Sequence, residues 1–284
     1  MDAFKKIFLL SIYIDISPYY QKYRENKESV NMQCPGRNLD AIRCNQLLDV
    51  AEKLIDEQGV VSFRFAQIAK GAGCSTNTLY KYFESKEDVL VCLFLRNTTS
   101  SQIPVFIDEN PDLNIREQAV LPILFTFEVV KRSPIFNILR VVAINSMFWQ
   151  LASSEKVEIL KSRVNLFWSR VKSPLEEAVK KGELKATSLE IDDLSQALYF
   201  FLAGATSSFE SRLMDEQYFI ANDDVGYRHI SRLMNHYQWR EPITREMMQS
   251  LSGRINVFLD KSRGNIRSCD SCLAIGKRFD CRQE

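Results

Sequence analysis

The chain of 284 residues is long enough for two domains at about 100–200 residues each. With 45% apolar and 26% charged residues, its composition excludes a disordered chain, a collagen-like chain and a polytopic membrane protein. Thirty-seven basic residues oppose 36 acidic ones for a net charge of +1, so any nucleic-acid function has to come from a local surface. Ten Gly and eight Pro are few for a many-stranded β protein, and the expected fold class is all-α with long helices. The seven cysteines are odd in number and thinly spread before residue 269, which fits a reducing cytoplasm better than a secreted disulfide framework. Two histidines, His229 and His236, leave little for histidine-based catalysis or metal binding. They stand seven apart, where a metal pair prefers three or four, and read as surface or core residues.

Residues 1–36 differ in pattern from the rest of the chain. Lys5 and Lys6 precede Ile7–Ile16, in which eight of ten residues are apolar, in imitation of a signal peptide. The run is far short of the ~20 residues that span a bilayer. Asp15 interrupts it, and no small-x-small cleavage site comes after it. The segment reads as an extension ahead of a start at Met32. A docking arm and an export signal are the competing readings.

From Leu39 the pattern becomes regular. Leu39, Ile42, Leu47, Val50, Ala51, Leu54 and Ile55 recur at spacings of three and four, one apolar stripe on an amphipathic helix. Gly59 sits where a left-handed cap ends that helix. A short second helix carries Phe65, Ile68, Ala69 and Ala72, and Gly71-Ala72-Gly73-Cys74 makes a tight turn. Ser75 is placed to cap a third helix running to Phe83, anchored by Leu79 and Phe83 and otherwise polar. Ser85-Lys86-Glu87-Asp88 opens a fourth helix with a serine cap and acidic residues that suit the helix dipole. Two short helices joined by a glycine-bearing turn, the second with a polar outer face, form a helix-turn-helix pattern. Such a second helix fits the major groove and reads base edges, while flanking hydroxyls and cations hold phosphates. The run Gly71–Thr76 lacks the spacing of a phosphate loop, and no strand precedes it. Residues 37–96 carry eight basic and eight acidic side chains, which predicts modest nonspecific affinity.

Ala51…Gly59, Ile68-Ala69…Ala72-Gly73-Cys74-Ser75, Thr78-Leu79-Tyr80-Lys81-Tyr82-Phe83 and Ser85-Lys86-Glu87-Asp88-Val89-Leu90 together resemble the TetR family of bacterial transcription regulators. The resemblance implies that Thr76, Asn77, Thr78 and Lys81 face bases and that Tyr80, Tyr82 and Lys86 contact phosphates. The chain departs from the family pattern at Arg64, where a Ser or Thr is common. Either Arg64 makes a charge-assisted phosphate contact of its own, or Ser62 caps the second helix. Cys74 stands where a small aliphatic residue is usual and reads as a small hydrophobe.

Beyond a polar, proline-bearing hinge at 98–114, helical periods cover 115–131, 134–151, 154–181, 189–213, 226–238 and 243–261. Lys180-Lys181-Gly182 closes one helix with cations and a glycine. The aromatic stripe of residues 120–210 reads first as core. The resemblance implies a cavity for a small, apolar or amphipathic effector in this body, with Met147, Trp149, Phe167 and Phe200 as candidate lining. It also implies a homodimer through the last long helices, where Ala203, Gly204 and Ala205 permit close approach.

The domains expected are therefore 1–36 as extension, 37–96 as DNA-binding unit, 97–262 as effector-binding and dimerisation body, and 263–284 as tail. In the tail, Cys269-x2-Cys272 and Cys281 have the reach of a metal site or thiol switch, without a clear fourth ligand. The leading reading is a cytoplasmic regulator of double-stranded DNA, a repressor released by a small effector, with no cofactor and no membrane partner. A regulator whose sensor is the cysteine tail is the alternative. An enzyme is the remote third, since no nucleophile elbow, His-Glu-x-x-His or Gly-rich cofactor loop is present.

Overall fold

The computed structural model describes residues 38–97, 102–143, 145–211, 215 and 223–262. The extension at 1–36 and the candidate ligands Cys269, Cys272 and Cys281 lie outside the described residues. The chain divides into residues 1–34 and residues 35–284, and only the second unit contains described residues.

Among its described residues that unit is all-α apart from two two-residue strands. Helix α1 (Asn38–Ser62) buries Leu47, Leu48, Ala51 and Ile55. Its buried face is wider than one stripe because α2 (Phe65–Gly71) and α4 (Lys86–Arg96) both pack on it, and Ile42, counted in the stripe, is exposed instead. The helix kinks at Gly59, whose φ is 81°, and continues to Ser62. Helix α3 (Thr76–Tyr80) is one turn shorter than the sequence pattern suggests, though Phe83 N–H still donates to Leu79 C=O at 3.1 Å.

Helix α4 is enclosed on all sides: every residue from Asp88 to Arg96 is buried. It packs against α1, against α7 (Pro134–Ala143) and against α9 (Ser154–Lys180), so the small unit and the large body share it. The buried Arg96 guanidinium pairs with Asp49 at 2.6 Å and with Glu52, both from α1.

The stretch read as a hinge contains a helix, α5 (Gln102–Glu109), because Ile103 and Phe106 fall three apart and are buried in the body. Pro104 sits in its first turn, where a missing N–H costs nothing. Phe106 meets Phe125 of α6 (Ile115–Arg132) and Phe258 of α12 (Arg245–Ser262) edge to face at 5.4–5.9 Å, the centre of the body's core. The helix expected over 134–151 breaks after α7, and Asn145 starts the short α8 (Ser146–Trp149) by accepting from Met147 N–H at 3.0 Å. Lys181 and Gly182 close α9 as expected, with Glu183 N–H on Ala178 C=O at 2.9 Å. Helix α10 (Ser188–Ser211) comes next, then α11 (Asp223–Met234).

The sequence pattern carries α11 to 238, but the helix stops at Met234. Asn235 accepts from Ile243 N–H and donates to Ile243 C=O, both at 2.8 Å, and Trp239 Nε1 donates to Met234 C=O. These contacts fold the chain back, so that β1 (Leu184–Lys185) pairs antiparallel with β2 (Gln238–Trp239). No described helix is long and apolar enough to cross a membrane.

Arg96→Ala leaves Asp49 and Glu52 without their shared cation. The expected loss is about 2–3 kcal/mol in urea unfolding, at the low end for a buried pair because Asp49 is half in water.

Candidate nucleic-acid interface

The interface is built from a turn that only glycine permits. Helix α2 ends with Cys74 N–H on Ala69 C=O and Gly73 N–H on Lys70 C=O, a Schellman cap whose left-handed residue is Gly73 at φ 62°. A Cβ on Gly71 would lie 2.6 Å from Val50 Cγ1, so α2 approaches α1 more closely than alanine allows. Arg43 of α1 holds the turn by donating to Ala72 C=O at 3.2 Å. Ser75 then caps α3 as expected, accepting from Thr78 N–H at 3.1 Å.

Thr76, Asn77, Tyr80 and Lys81 are exposed, while Thr78 and Tyr82 are half-buried. The Thr78 hydroxyl is 3.0 Å from that of Ser75, which commits it to the cap as well as to the surface. Tyr80 is 58% exposed and packs edge to face on Phe65 at 5.2 Å, which fixes the start of α2 beside the end of α3. Arg64, exposed at the N-cap of α2, is therefore near Tyr80. Its main-chain N–H donates to Gln67 Oε1 at 2.6 Å. Ser62 belongs to α1 and does not cap α2.

Lys86 is engaged within the protein. Its Nζ donates to Val61 C=O at 3.0 Å and lies 4.2 Å from the centre of the Phe63 ring. Burial holds its pKa below the ordinary lysine range, although Glu87 pulls the other way. An ammonium has three donors, so one contact inside the protein leaves others for a phosphate.

The residue that sequence reasoning undervalued is Asp88. It reads as a carboxylate favourable to the α4 dipole, yet it is 1% exposed. Its Oδ2 accepts from Glu84 N–H at 2.9 Å, and its Oδ1 accepts from both the N–H and the hydroxyl of Ser153, at 2.7 and 3.0 Å. Ser85 caps α4 and donates to Leu151 C=O at 3.4 Å. The loop leaving α3 is thus clasped to the first residues before α9. No local signal marks Ser153 as a partner 65 residues away.

In the body, the four candidate lining residues do not form one site. Phe200 is 66% exposed and lines a groove of about 290 Å³ between α10 and α11, with Phe201, Gly204, Ala205 and His229. Phe167 reaches it only through a ladder of edge-on rings, Phe167–Trp168–Tyr199–Phe200, at 4.9–5.5 Å. Met147 is 80% exposed and Trp149 lies under Lys161 at 6.0 Å, both on the one-turn α8, which is too short to bury two faces. Among the described residues no cluster of His, Cys, Asp and Glu could hold a metal ion.

Residues 47–92 match the TetR_N model, described as bacterial regulatory proteins of the tetR family. The chain therefore carries a TetR-family N-terminal domain over these residues. The matched segment runs from the middle of α1 into α4 and takes in the whole helix-turn-helix. The fatty acid metabolism regulator protein of Bacillus subtilis is 29% identical over 145 residues, 49% of this chain and 70% of its own length. The regulator HbdR of Aromatoleum sp. is 38% identical over 80 residues, 27% of this chain and 34% of its own. A crystal structure of FadR from Bacillus subtilis with stearoyl-CoA aligns at a TM-score of 0.48 and 19% identity, covering 74% of this chain and 97% of that one. DNA-binding regulator is the function class these relatives support.

Asp88→Ala removes the acceptor for three buried or half-buried donors. A loss of about 2–3 kcal/mol is expected in urea unfolding, and Ser153→Ala, which leaves its N–H bond in place, should cost about 1 kcal/mol.

Proposed function

We propose that this protein is a sequence-specific repressor that binds a palindromic operator as a homodimer and is released by an amphipathic effector. The observation that carries the reading is the capped, polar and exposed segment Ser75–Lys81, held by a glycine turn on α1 and α2. Thr76, Asn77, Thr78 and Lys81 supply donors and acceptors for base edges. Arg64, Tyr80, Tyr82 and Lys86 supply phosphate contacts that fix register.

A dimer is supported by the outer face of α10. Phe200 projects there, and Gly204, one turn on, has nothing within 4 Å of an added Cβ. Among the described residues of one chain, then, packing gives no reason for a glycine at 204, whereas close approach of a second copy does. Two-fold symmetry would set two α3 helices about 34 Å apart, one turn of duplex.

The relative in Bacillus subtilis is named for fatty acid metabolism, which fits an effector with an apolar chain. Such a ligand acts only through differential affinity for two arrangements of the body. The Asp88–Ser153 clasp and the enclosed α4 are the parts that carry a change in the body to α3.

Selection of bound duplexes from a random pool tests DNA recognition. The expected result is a palindromic site that the Asn77→Ala, Lys81→Ala protein fails to enrich while its melting temperature is unchanged. Folded protein that enriches nothing in reducing buffer refutes the reading. Gly204→Trp should yield folded monomer in sedimentation, with operator affinity reduced at least tenfold.

A further inference from the structure

A half-buried cation in the body pairs with no acid among the described residues. Arg140 lies on α7, one turn beyond Phe136, and points between α7 and α10. Its Nη1 donates to Thr206 Oγ1 at 2.9 Å, and no described carboxylate pairs with it. The Thr206 hydroxyl proton is already given to Leu202 C=O at 2.7 Å, so its oxygen is free to accept from the guanidinium. Asn137, fully buried beside them, donates to Thr206 C=O at 3.0 Å. Phe136, one turn before Arg140 on α7, and Leu202, one turn before Thr206 on α10, are buried. Burial pulls the Arg140 pKa down to about 10, while Tyr199 pulls it the other way.

A guanidinium carries five N–H donors in a fork that matches a carboxylate or a phosphate, and a hydroxyl oxygen occupies one of them. Drawing such a charge partly out of water without a carboxylate among the described residues costs stability, and perturbed groups of this kind cluster at functional sites. We infer that Arg140, with Thr206 beside it, is the anchor for the anionic head of an effector whose apolar chain lies along α7 and α10. This rests on the effector reading proposed for the body and adds the chemical class of its head group. The anchor is distinct from the groove at Phe200, which opens on the α11 side of α10.

The same helix connects the anchor to DNA binding. Phe136, one turn before Arg140, stacks on Phe94 of α4 at 6.0 Å, with their planes 14° apart. A ligand that draws Arg140 moves α7, and α7 bears directly on the helix next in the chain after the helix-turn-helix.

Calorimetric titration of the full chain with oleate, oleyl alcohol and oleoyl-coenzyme A, below their micelle concentrations, tests the anchor. Oleate is expected to bind at least tenfold more tightly than oleyl alcohol. Arg140→Met should abolish that difference while keeping alcohol binding, and Arg140→Lys should retain part of it. Arg140→Met should also raise the melting temperature of the ligand-free protein, which a purely structural arginine would not do. Preference for oleoyl-coenzyme A alone, lost in Arg140→Met, would support the anchor with phosphate as the head group. Equal binding of acid and alcohol, no binding of any probe, or a preference that survives Arg140→Met would overturn it. None of those results bears on operator selection, so a failure here is separable from a failure of the regulator reading.

Discussion

One buried carboxylate sets the geometry of the protein. Asp88 is almost wholly withdrawn from water and accepts three hydrogen bonds, one from the loop after α3 and two from Ser153. A desolvated carboxylate is tolerable only while its donors remain in place, so the loop and the start of α9 are bound to move together. Ser153 gives its hydroxyl to Asp88 instead of capping its own helix, and the carboxylate lies where the α9 dipole favours negative charge. Arg96 closes the other end of α4 onto α1 through Asp49 and Glu52. The helix between these two polar ends is apolar and enclosed, and it offers one hydrophobic surface on which both α1 and the body pack.

The DNA-facing unit was largely legible in the sequence because its determinants are local. The Ser75 cap, the left-handed Gly73, the Phe83 N–H bond to Leu79 and the Ser85 cap each act within five residues. The all-α class and most helix ends came from period and capping in the same way. The misreadings share a cause, which is contact between distant segments. Ile103 and Phe106 turn a polar stretch into α5 because the body offers them a core. Asn235 ends α11 because Ile243 is there to be bracketed. Asp88 became a clasp through Ser153, and no spacing rule links the two.

The body was legible as helices and not as a site. An aromatic stripe shows which side chains are large, and only packing shows which meet. Phe167 and Phe200 belong to one ladder of rings, whereas Met147 and Trp149 fall on a one-turn helix at the surface. The informative residue in the body is polar. Arg140 looks like any helical arginine in the sequence, and its isolation from described carboxylates emerges only when α7 is laid against α10. Its neighbour Phe136 touches α4, so a ligand site in the body and the DNA-facing helices would be joined by one stacked pair of rings.

The central claim is that the small unit and the body move as one through α4. Amide hydrogen exchange of the ligand-free protein, compared between wild type and Asp88→Asn, tests it most directly. The account predicts that residues 82–96 and 151–158 lose protection together, by the same factor of ten or more, while α6 and α12 are unchanged. Loss of protection confined to residues 82–88, with 151–158 as slow as in wild type, would contradict it.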